Sequence, residues 1–319
     1  MTIRTRKPTG QAPWPITLIA GVEKSGKTYS CAEATASGVI DRTLWISIGE
    51  DDPDEYGALP GANFEIVEHD GTYRSIIAAI EAAVSEPGTN LLVIDSMTKL
   101  WDLLSNMAQT EANARAAKKG RGGSDEARID MDLWNAAKKR HQRVVNAIKV
   151  NAGPVLLTAR MDMQTVMDDN GQPTKHKDFK IKAEKNLVYD VSAIIEMPER
   201  GKAFITGVRS LKFKGGPGAK IPLPNFTVAE LWDRLAVSES GPRHFDRNDG
   251  IPSDAEDEWT DRIADCLNAA DARRLWAEAK HDGAPQYVLD AIGARGAELA
   301  EVDSAPKPQS LVDAIGAQS

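Results

Sequence analysis

Residues 21–28 have the types and the spacing of a loop that could bind phosphate. They read Gly-Val-Glu-Lys-Ser-Gly-Lys-Thr, which fits the pattern Gly-x-x-x-x-Gly-Lys-Ser/Thr. In this pattern the backbone amides surround phosphate oxygens, the lysine reaches the β- and γ-phosphates, and the last hydroxyl ligates Mg²⁺. We therefore predict a site for ATP and Mg²⁺. Its expected residues are Gly21, Val22, Glu23, Lys24, Ser25, Gly26, Lys27, Thr28 and Tyr29.

This motif has its function only between a strand and a helix, and the sequence predicts both. An apolar run at 16–20 precedes the loop and a helical pattern at 26–39 follows it, which disfavours a chance glycine turn. The same alternation continues along the chain. Further strands are predicted at 44–48, 63–67, 91–94 and 155–158, and further helices at 72–85 and 130–151. This order predicts an α/β fold, a mainly parallel sheet with helices on both faces. Residues 191–195 and 203–208 are expected to add two antiparallel strands to it.

Several polar residues follow the predicted strands, at the edge of the sheet where the phosphate loop must lie. Asp95 ends one strand and is expected to orient Mg²⁺, although a strand-ending aspartate can also cap a helix. Glu50 follows the second strand and is our candidate general base. Its neighbours Asp51 and Asp52 compete for that role, and a plain acidic turn is the alternative. Thr158 and Arg160 either sense the γ-phosphate or serve the structure.

Composition limits the class of protein. The chain has 319 residues, of which 41% are hydrophobic and 27% charged, as expected for a soluble globular protein. Because no apolar run approaches about 20 residues, no membrane span is expected. The two cysteines, Cys31 and Cys266, lie far apart in the sequence, so they are not spaced as metal ligands. This usage fits a reducing cytoplasm.

Charge is distributed unevenly along the chain. Residues 241–319 contain 8 Lys/Arg and 16 Asp/Glu, which accounts for the whole net charge of −8. Residues 111–149 are net +5 and residues 175–220 are net +6. These two basic regions overlap two long segments, 106–128 and 163–186, that we predict to be loops without regular structure. Such regions indicate a surface for a polyanion, with solvated lysine-rich faces as the alternative.

The combination of these motifs resembles the RecA superfamily over residues 14–236. The order is a phosphate loop, Glu50 after the next strand, Leu-Val-Ile-Asp-Ser-Met-Thr-Lys-Leu around Asp95, and Leu-Leu-Thr-Ala-Arg ending at Arg160. The Lys-Ser-Gly-Lys-Thr loop and Lys-Ala-Glu-Lys-Asn-Leu at 182–187 look closest to phage-encoded, core-only RecA-like ATPases of single-strand annealing. Arg160 departs from the superfamily, which usually has glutamine or histidine there.

The resemblance implies a homo-oligomer, a ring or filament, with ATP at subunit interfaces. Arg209 would then reach the neighbour's nucleotide as a catalytic cation, unless it is a plain surface residue. The resemblance also implies single-stranded DNA as a partner of the two basic segments. Their expected contacts are Lys118, Lys119 and Arg121, then Lys175, Lys177, Phe179, Lys180, Lys182 and Lys185. Phe179 would stack on a base or anchor its loop to the core.

We predict an arm at 1–13, a core at 14–237, a linker at 238–255, a helical module at 256–300 and a disordered tail at 301–319. The acidic module resembles those appended to phage recombination proteins, and it would bind a protein partner or compete with DNA. The function expected from these features is an ATP-dependent recombinase or annealing protein that binds single-stranded DNA. A RecA-fold ring helicase or translocase, or a nucleotide-dependent protein-binding switch, is the alternative.

Overall fold

A computed structural model of the chain describes residues 3, 5–118, 126–168, 172–211, 213, 219–244, 259, 262–263, 266–284 and 286–304. These residues fall into two compact units, Met1–Arg247 and Asn248–Ser319. The first unit carries the phosphate loop, and the described residues of the second lie mostly in helices.

A single twisted sheet organises the described part of the first unit. Its strands follow the order β3-β2-β4-β5-β1-β7-β8-β9, and β6 pairs with β5 outside this row. The strands from β3 to β7 in that row run parallel, whereas β6, β8 and β9 pair antiparallel with their neighbours. Their bounds are β1 Ile16–Gly21, β2 Arg42–Ser47, β3 Glu65–Ile66, β4 Asn90–Asp95, β5 Val155–Met167, β6 Pro173–Lys182, β7 Ala193–Glu199, β8 Lys202–Val208 and β9 Ile221–Pro222.

Helices cover both faces of this sheet. Those of the first unit are α1 Lys27–Ala34, α2 Tyr73–Ser85, α3 Met97–Lys118, α4 Met131–Ile148, α5 Leu187–Asp190 and α6 Val228–Leu235. Successive residues of a strand point to opposite faces, so Leu18 packs into one apolar cluster with α2, α3 and α4, and Ile19 into another with α1 and α6. Burial on both faces explains the continuous apolar runs of the parallel strands. The predicted α/β fold with a mainly parallel sheet and an antiparallel extension is therefore confirmed.

Two segments that we predicted as loops contain regular structure at 106–118, 163–167 and 173–182, and for these residues both predictions were wrong. In 106–128, α3 continues to Lys118, because Ala108 and Ala112 pack against Leu133 of α4 and so give this polar helix a buried stripe. In 163–186, β5 and β6 form an antiparallel hairpin, and its end is closed by a hydrogen bond from the Asp168 amide to the Gln172 carbonyl, 2.8 Å.

The second unit is a small helical module with its own core. Its helices include α7 Ala269–His281 and α8 Gln286–Ser304, which pack around buried Trp259, Cys266 and Leu275. Since α8 reaches Ser304, helix extends into the segment predicted as a disordered tail. No helix in the described part of the chain has the length and apolarity needed to span a membrane.

Candidate nucleotide site

The loop between β1 and α1 depends on its two glycines. Gly26 has φ +102°, in the left-handed region that favours glycine, and caps the start of α1. At Gly21, a Cβ atom would lie 2.9 Å from the carbonyl oxygen of Met197 in β7. That carbonyl accepts a hydrogen bond from the Val22 amide at 3.2 Å, so the loop lies directly against the sheet. The chain therefore presents the amides of a helix start at the end of a central strand, which is an anion site.

Two polar groups of the loop fit a triphosphate. The Lys27 ammonium donates to the carbonyls of Gly21 and Val22 at 3.2 and 2.9 Å. Burial lowers the pKa of Lys27, and the charges of Asp95 and Glu50 partly oppose that shift. The Ser25 hydroxyl is buried and has no hydrogen-bond partner among the described residues. A donor without a partner inside a glycine-bounded loop is one that phosphate oxygens would satisfy.

The outer residues of the loop are open to solvent. Glu23 and Lys24 form an exposed ion pair at 3.5 Å, and Lys24 has φ +56°. Tyr29, which follows Thr28, is 46% exposed. Its ring lies edge-on to that of Tyr56, with the ring centroids 6.5 Å apart. Sequence reasoning missed Tyr56; the available signal was an aromatic residue in the acidic turn after Glu50.

Oxygen ligands suited to Mg²⁺ meet at Asp95. Its carboxylate is 5% exposed and accepts hydrogen bonds from the hydroxyl of Thr28, at 3.0 Å, and from that of Thr158. Burial raises the pKa of Asp95, and the two hydroxyls oppose this shift. Mg²⁺ prefers such hard oxygen ligands, so the residues fit the ion. The Thr158 hydroxyl therefore donates to the Asp95 carboxylate and orients that side chain.

The candidate base Glu50 lies beside this group and is held from two sides. The Ser96 hydroxyl donates to it at 2.7 Å, and Arg160 donates through Nε at 3.1 Å and Nη2 at 2.5 Å. Burial raises the pKa of Glu50, but these hydrogen bonds outweigh it and hold the pKa below its usual value. Glu50 is therefore an ionised carboxylate at neutral pH. The competing residues Asp51 and Asp52 are exposed.

The base of the β5–β6 hairpin lies at this site. Arg160 is paired in register with Lys182, and the Arg160 amide donates to the buried Thr98 hydroxyl at 2.8 Å. Sequence reasoning missed Thr98, for which the signal was a hydroxyl in the first apolar helical turn after Asp95. Beyond the base, the hairpin continues past the residues of β5 that pair with β1 and β4, and it exposes Lys175, Lys177 and Lys180.

The predicted DNA contacts are only partly brought together by the structure. Lys182 and Lys185 are exposed at and just after the base of the hairpin, and the Lys182 ammonium lies 3.7 Å from the Asp102 carboxylate. Phe179 is half-buried and packs against the apolar cluster of α2, α3 and α4. This contact favours the anchoring role over the stacking role. Lys118 ends α3, while Lys119 and Arg121 lie outside the described residues.

Arg209 lies at the opposite edge of the sheet from the phosphate loop. Its amide donates to the Ser192 carbonyl at 2.7 Å, and the Ser192 amide donates to the carbonyl of Ile16, where β1 begins. The six residues of β1 put about 17 Å between that point and Gly21. Nearby, the Arg243 guanidinium donates to the Trp14 carbonyl at 2.9 Å. Burial and then the charge of Arg209 lower the pKa of Arg243. Arg209 cannot reach the nucleotide site of its own chain.

Comparison with known proteins identifies the family of the chain. A family described as AAA domain matches residues 15–219, and no curated protein matches the chain. Among solved structures, the RadB recombinase is similar at 18% identity, TM-score 0.40, over 67% of this chain and 89% of that one. An ATPase of the type III secretion system of pathogenic bacteria is similar at 16% identity, TM-score 0.32, over 57% of this chain and 50% of that one. The flagellar accessory protein FlaH from Methanocaldococcus jannaschii is similar at 13% identity, TM-score 0.30, over 63% of this chain and 82% of that one. The family match covers most of the chain and includes the phosphate loop, so the chain belongs to this AAA domain family, and its core has the α/β fold of a P-loop NTPase.

Proposed function

We propose that this ATPase binds single-stranded DNA and uses ATP in recombination or annealing. The observation that carries the proposal is the course of β5. Thr158 and Arg160 lie at the nucleotide site, and the same strand continues into a hairpin with exposed lysines. Because β5 connects the two places, DNA bound at the hairpin could affect the ATP site directly. The resemblance of the sequence to phage-encoded annealing ATPases supports the same role, in the cytoplasm of a host cell.

For hydrolysis, the side chains have separate tasks. Lys27 would bind the β- and γ-phosphates, and Thr28 with Asp95 would hold Mg²⁺, which would supply positive charge to offset that of the phosphates. Glu50 would orient the attacking water and accept its proton, since its carboxylate is ionised and lies next to Ser96 at the end of β4. Arg160 would exchange its contact with Glu50 for one with the γ-phosphate, because both are anionic oxygen acceptors for the same guanidinium. Tyr29 and Tyr56 would contact the adenine ring of ATP.

For assembly, the position of Arg209 supports a role in trans. It is exposed at the edge of the sheet remote from its own phosphate loop, so a nucleotide that it contacts must belong to a neighbouring subunit. A cation delivered in this way stabilises charge on the transferring phosphoryl group and is worth about 10³–10⁵ in rate. We infer a homo-oligomer, a ring or filament, with ATP between subunits.

For DNA binding, the exposed lysines of β6 would contact phosphates. Lys175 and Lys177 alternate with His176 and Asp178 along the strand, whereas Lys180 is on the face opposite Phe179. Because both faces of the hairpin carry lysines, it could lie along a flexible single strand of DNA. The acidic second unit would compete with DNA for these lysines or bind a protein partner.

The decisive experiment measures ATP hydrolysis with and without single-stranded DNA at two salt concentrations, with Lys27→Ala as the inactive control. DNA should stimulate turnover, and the apparent affinity should fall with salt at a slope of about −0.7 for each phosphate contact. Strand displacement on a forked duplex would favour the helicase instead. Turnover that ignores DNA at both salt concentrations would favour the protein-binding switch.

A further inference from the structure

Thr98 occupies the junction between the nucleotide site and the hairpin. It is in the first turn of α3, three residues after Asp95, and its side chain is fully buried. Its hydroxyl donates to the Lys182 carbonyl at 2.5 Å and accepts from the Arg160 amide at 2.8 Å. Because Arg160 and Lys182 are paired across the hairpin, one hydroxyl fastens both strands at their base.

The same turn of helix is attached to the candidate base. The Ser96 hydroxyl accepts from the Lys99 amide at 3.3 Å and donates to Glu50 at 2.7 Å. Glu50 in turn accepts from the side chain of Arg160. These hydrogen bonds, together with the chain from Ser96 to Thr98, form a closed ring, from Glu50 through Ser96 and Thr98 to the backbone of Arg160 and back through its guanidinium.

We propose that Thr98 is the positioning residue that transmits the state of the nucleotide site to the β5–β6 hairpin. The inference rests on the proposed function in so far as the hairpin binds DNA. A γ-phosphate that attracts Arg160 shifts the guanidinium but leaves its amide bound to Thr98. The first turn of α3 and both hairpin strands then move as one body. Without the hydroxyl, the base of the hairpin is free to stay where it is while the site rearranges.

The ring makes this role different from that of an ordinary buried threonine. A threonine that only fills space supports the fold, and its replacement changes basal and DNA-stimulated turnover alike. A transmitting threonine touches neither nucleotide nor DNA, and its loss changes the ratio of the two rates. The chain offers a matched control, because Thr43 in β2 is equally buried and its hydroxyl has no partner among the described residues.

The first experiment needs no DNA. Amide hydrogen exchange across Arg160–Lys182 is measured with and without a non-hydrolysable ATP analogue and Mg²⁺. In the wild-type protein and in Thr43→Val, the analogue should slow exchange in the hairpin. In Thr98→Val that difference should vanish, and in Thr98→Ser, which keeps the hydroxyl, it should persist. If the analogue leaves hairpin exchange unchanged in the wild-type protein, or protects Thr98→Val to the same extent, the inference is wrong.

The second experiment compares turnover with and without single-stranded DNA. For Thr98→Val we expect basal turnover close to that of the wild-type protein and a loss of stimulation of about fivefold or more, the lower end of ordinary coupling between sites. Full stimulation in Thr98→Val would refute the coupling. Should Thr98→Val not fold, Thr98→Cys, similar in size and a weaker donor, replaces it. An absence of stimulation in the wild-type protein would refute the DNA-binding function alone, since the exchange experiment still decides on Thr98.

Discussion

Replacing Glu50 with glutamine separates the chemistry of this side chain from its shape. The carboxylate now accepts hydrogen bonds from the Ser96 hydroxyl and from two nitrogens of Arg160. Glutamine keeps one oxygen and turns an NH₂ group toward one of these donors. The loop that cradles phosphate is untouched, so the variant should bind ATP and stay in the ATP-bound assembly.

The expected magnitudes differ for activity and stability. Loss of a positioned base lowers the rate by about 10²–10⁴, or about 2.7–5.4 kcal/mol. The loss of stability is smaller, no more than about 1 kcal/mol, because the side chain of Arg160 is 46% exposed and solvent screens the pair. The lowered pKa of Glu50 sets the pH range in which its ionised carboxylate stabilises the fold. This stabilisation is fully present above about pH 4.5, the usual pKa of a glutamate, and is lost as pH falls through the folded-state pKa.

The assay is single-turnover hydrolysis together with binding of a fluorescent ATP analogue. Asp51→Asn and Asp52→Asn are the matched controls, because both side chains are exposed acids next to Glu50. We expect analogue affinity to change little in all three variants and turnover to collapse only in Glu50→Gln. If Glu50→Gln turns over within about tenfold of the wild-type protein, or if a control collapses instead, the assignment of the base is refuted.

Three further predictions follow from the same structure. Asp95→Asn should abolish Mg²⁺-dependent hydrolysis yet raise the melting temperature of the nucleotide-free protein, because burial raises the pKa of Asp95 and its charge therefore destabilises the fold above about pH 3.8; a lower melting temperature would contradict this. Arg209→Ala should bind ATP but hydrolyse it poorly, and mixing it with Lys27→Ala should restore part of the turnover. No rescue in confirmed mixed assemblies would argue against a role in trans. Lys177→Ala with Lys180→Ala should flatten the salt dependence of DNA binding by about 1.4, or two contacts; an unchanged slope would remove these lysines from the interface.

The sequence was sufficient for the parts of the site that local patterns determine. A complete loop between an apolar strand and a helix identifies Lys27 and Thr28, and parallel strands bring Asp95 and Glu50 to the same edge. It was insufficient for Arg160, because nothing in Leu-Leu-Thr-Ala-Arg indicates that the side chain turns toward Glu50. That contact depends on the register of β2, β4 and β5, which only the folded sheet defines.

The loop predictions for the two segments failed for a common reason. Lysines, glycines and small polar residues were interpreted as loop because neither segment has a strong apolar period. In 163–186, the regular structure comes from pairing between β5 and β6, and among the described residues Phe179, Ile181 and Ala183 are partly buried against the core. In 106–118, the buried face of α3 is made of alanines, whose contribution to periodicity is weak. Partners distant in sequence decide such elements.

The hairpin has a consequence for handling the protein in solution. In the described part of the chain, β6 pairs with β5 on one side only, so its other side is a sheet edge that a strand of another molecule could meet. Charged side chains on such an edge, lysine above all, discourage sheet-to-sheet association between molecules. The lysines of β6 thus serve colloidal stability whether or not they contact nucleic acid. Replacing many of them by alanine should promote aggregation, and replacement by glutamate would keep the edge charged.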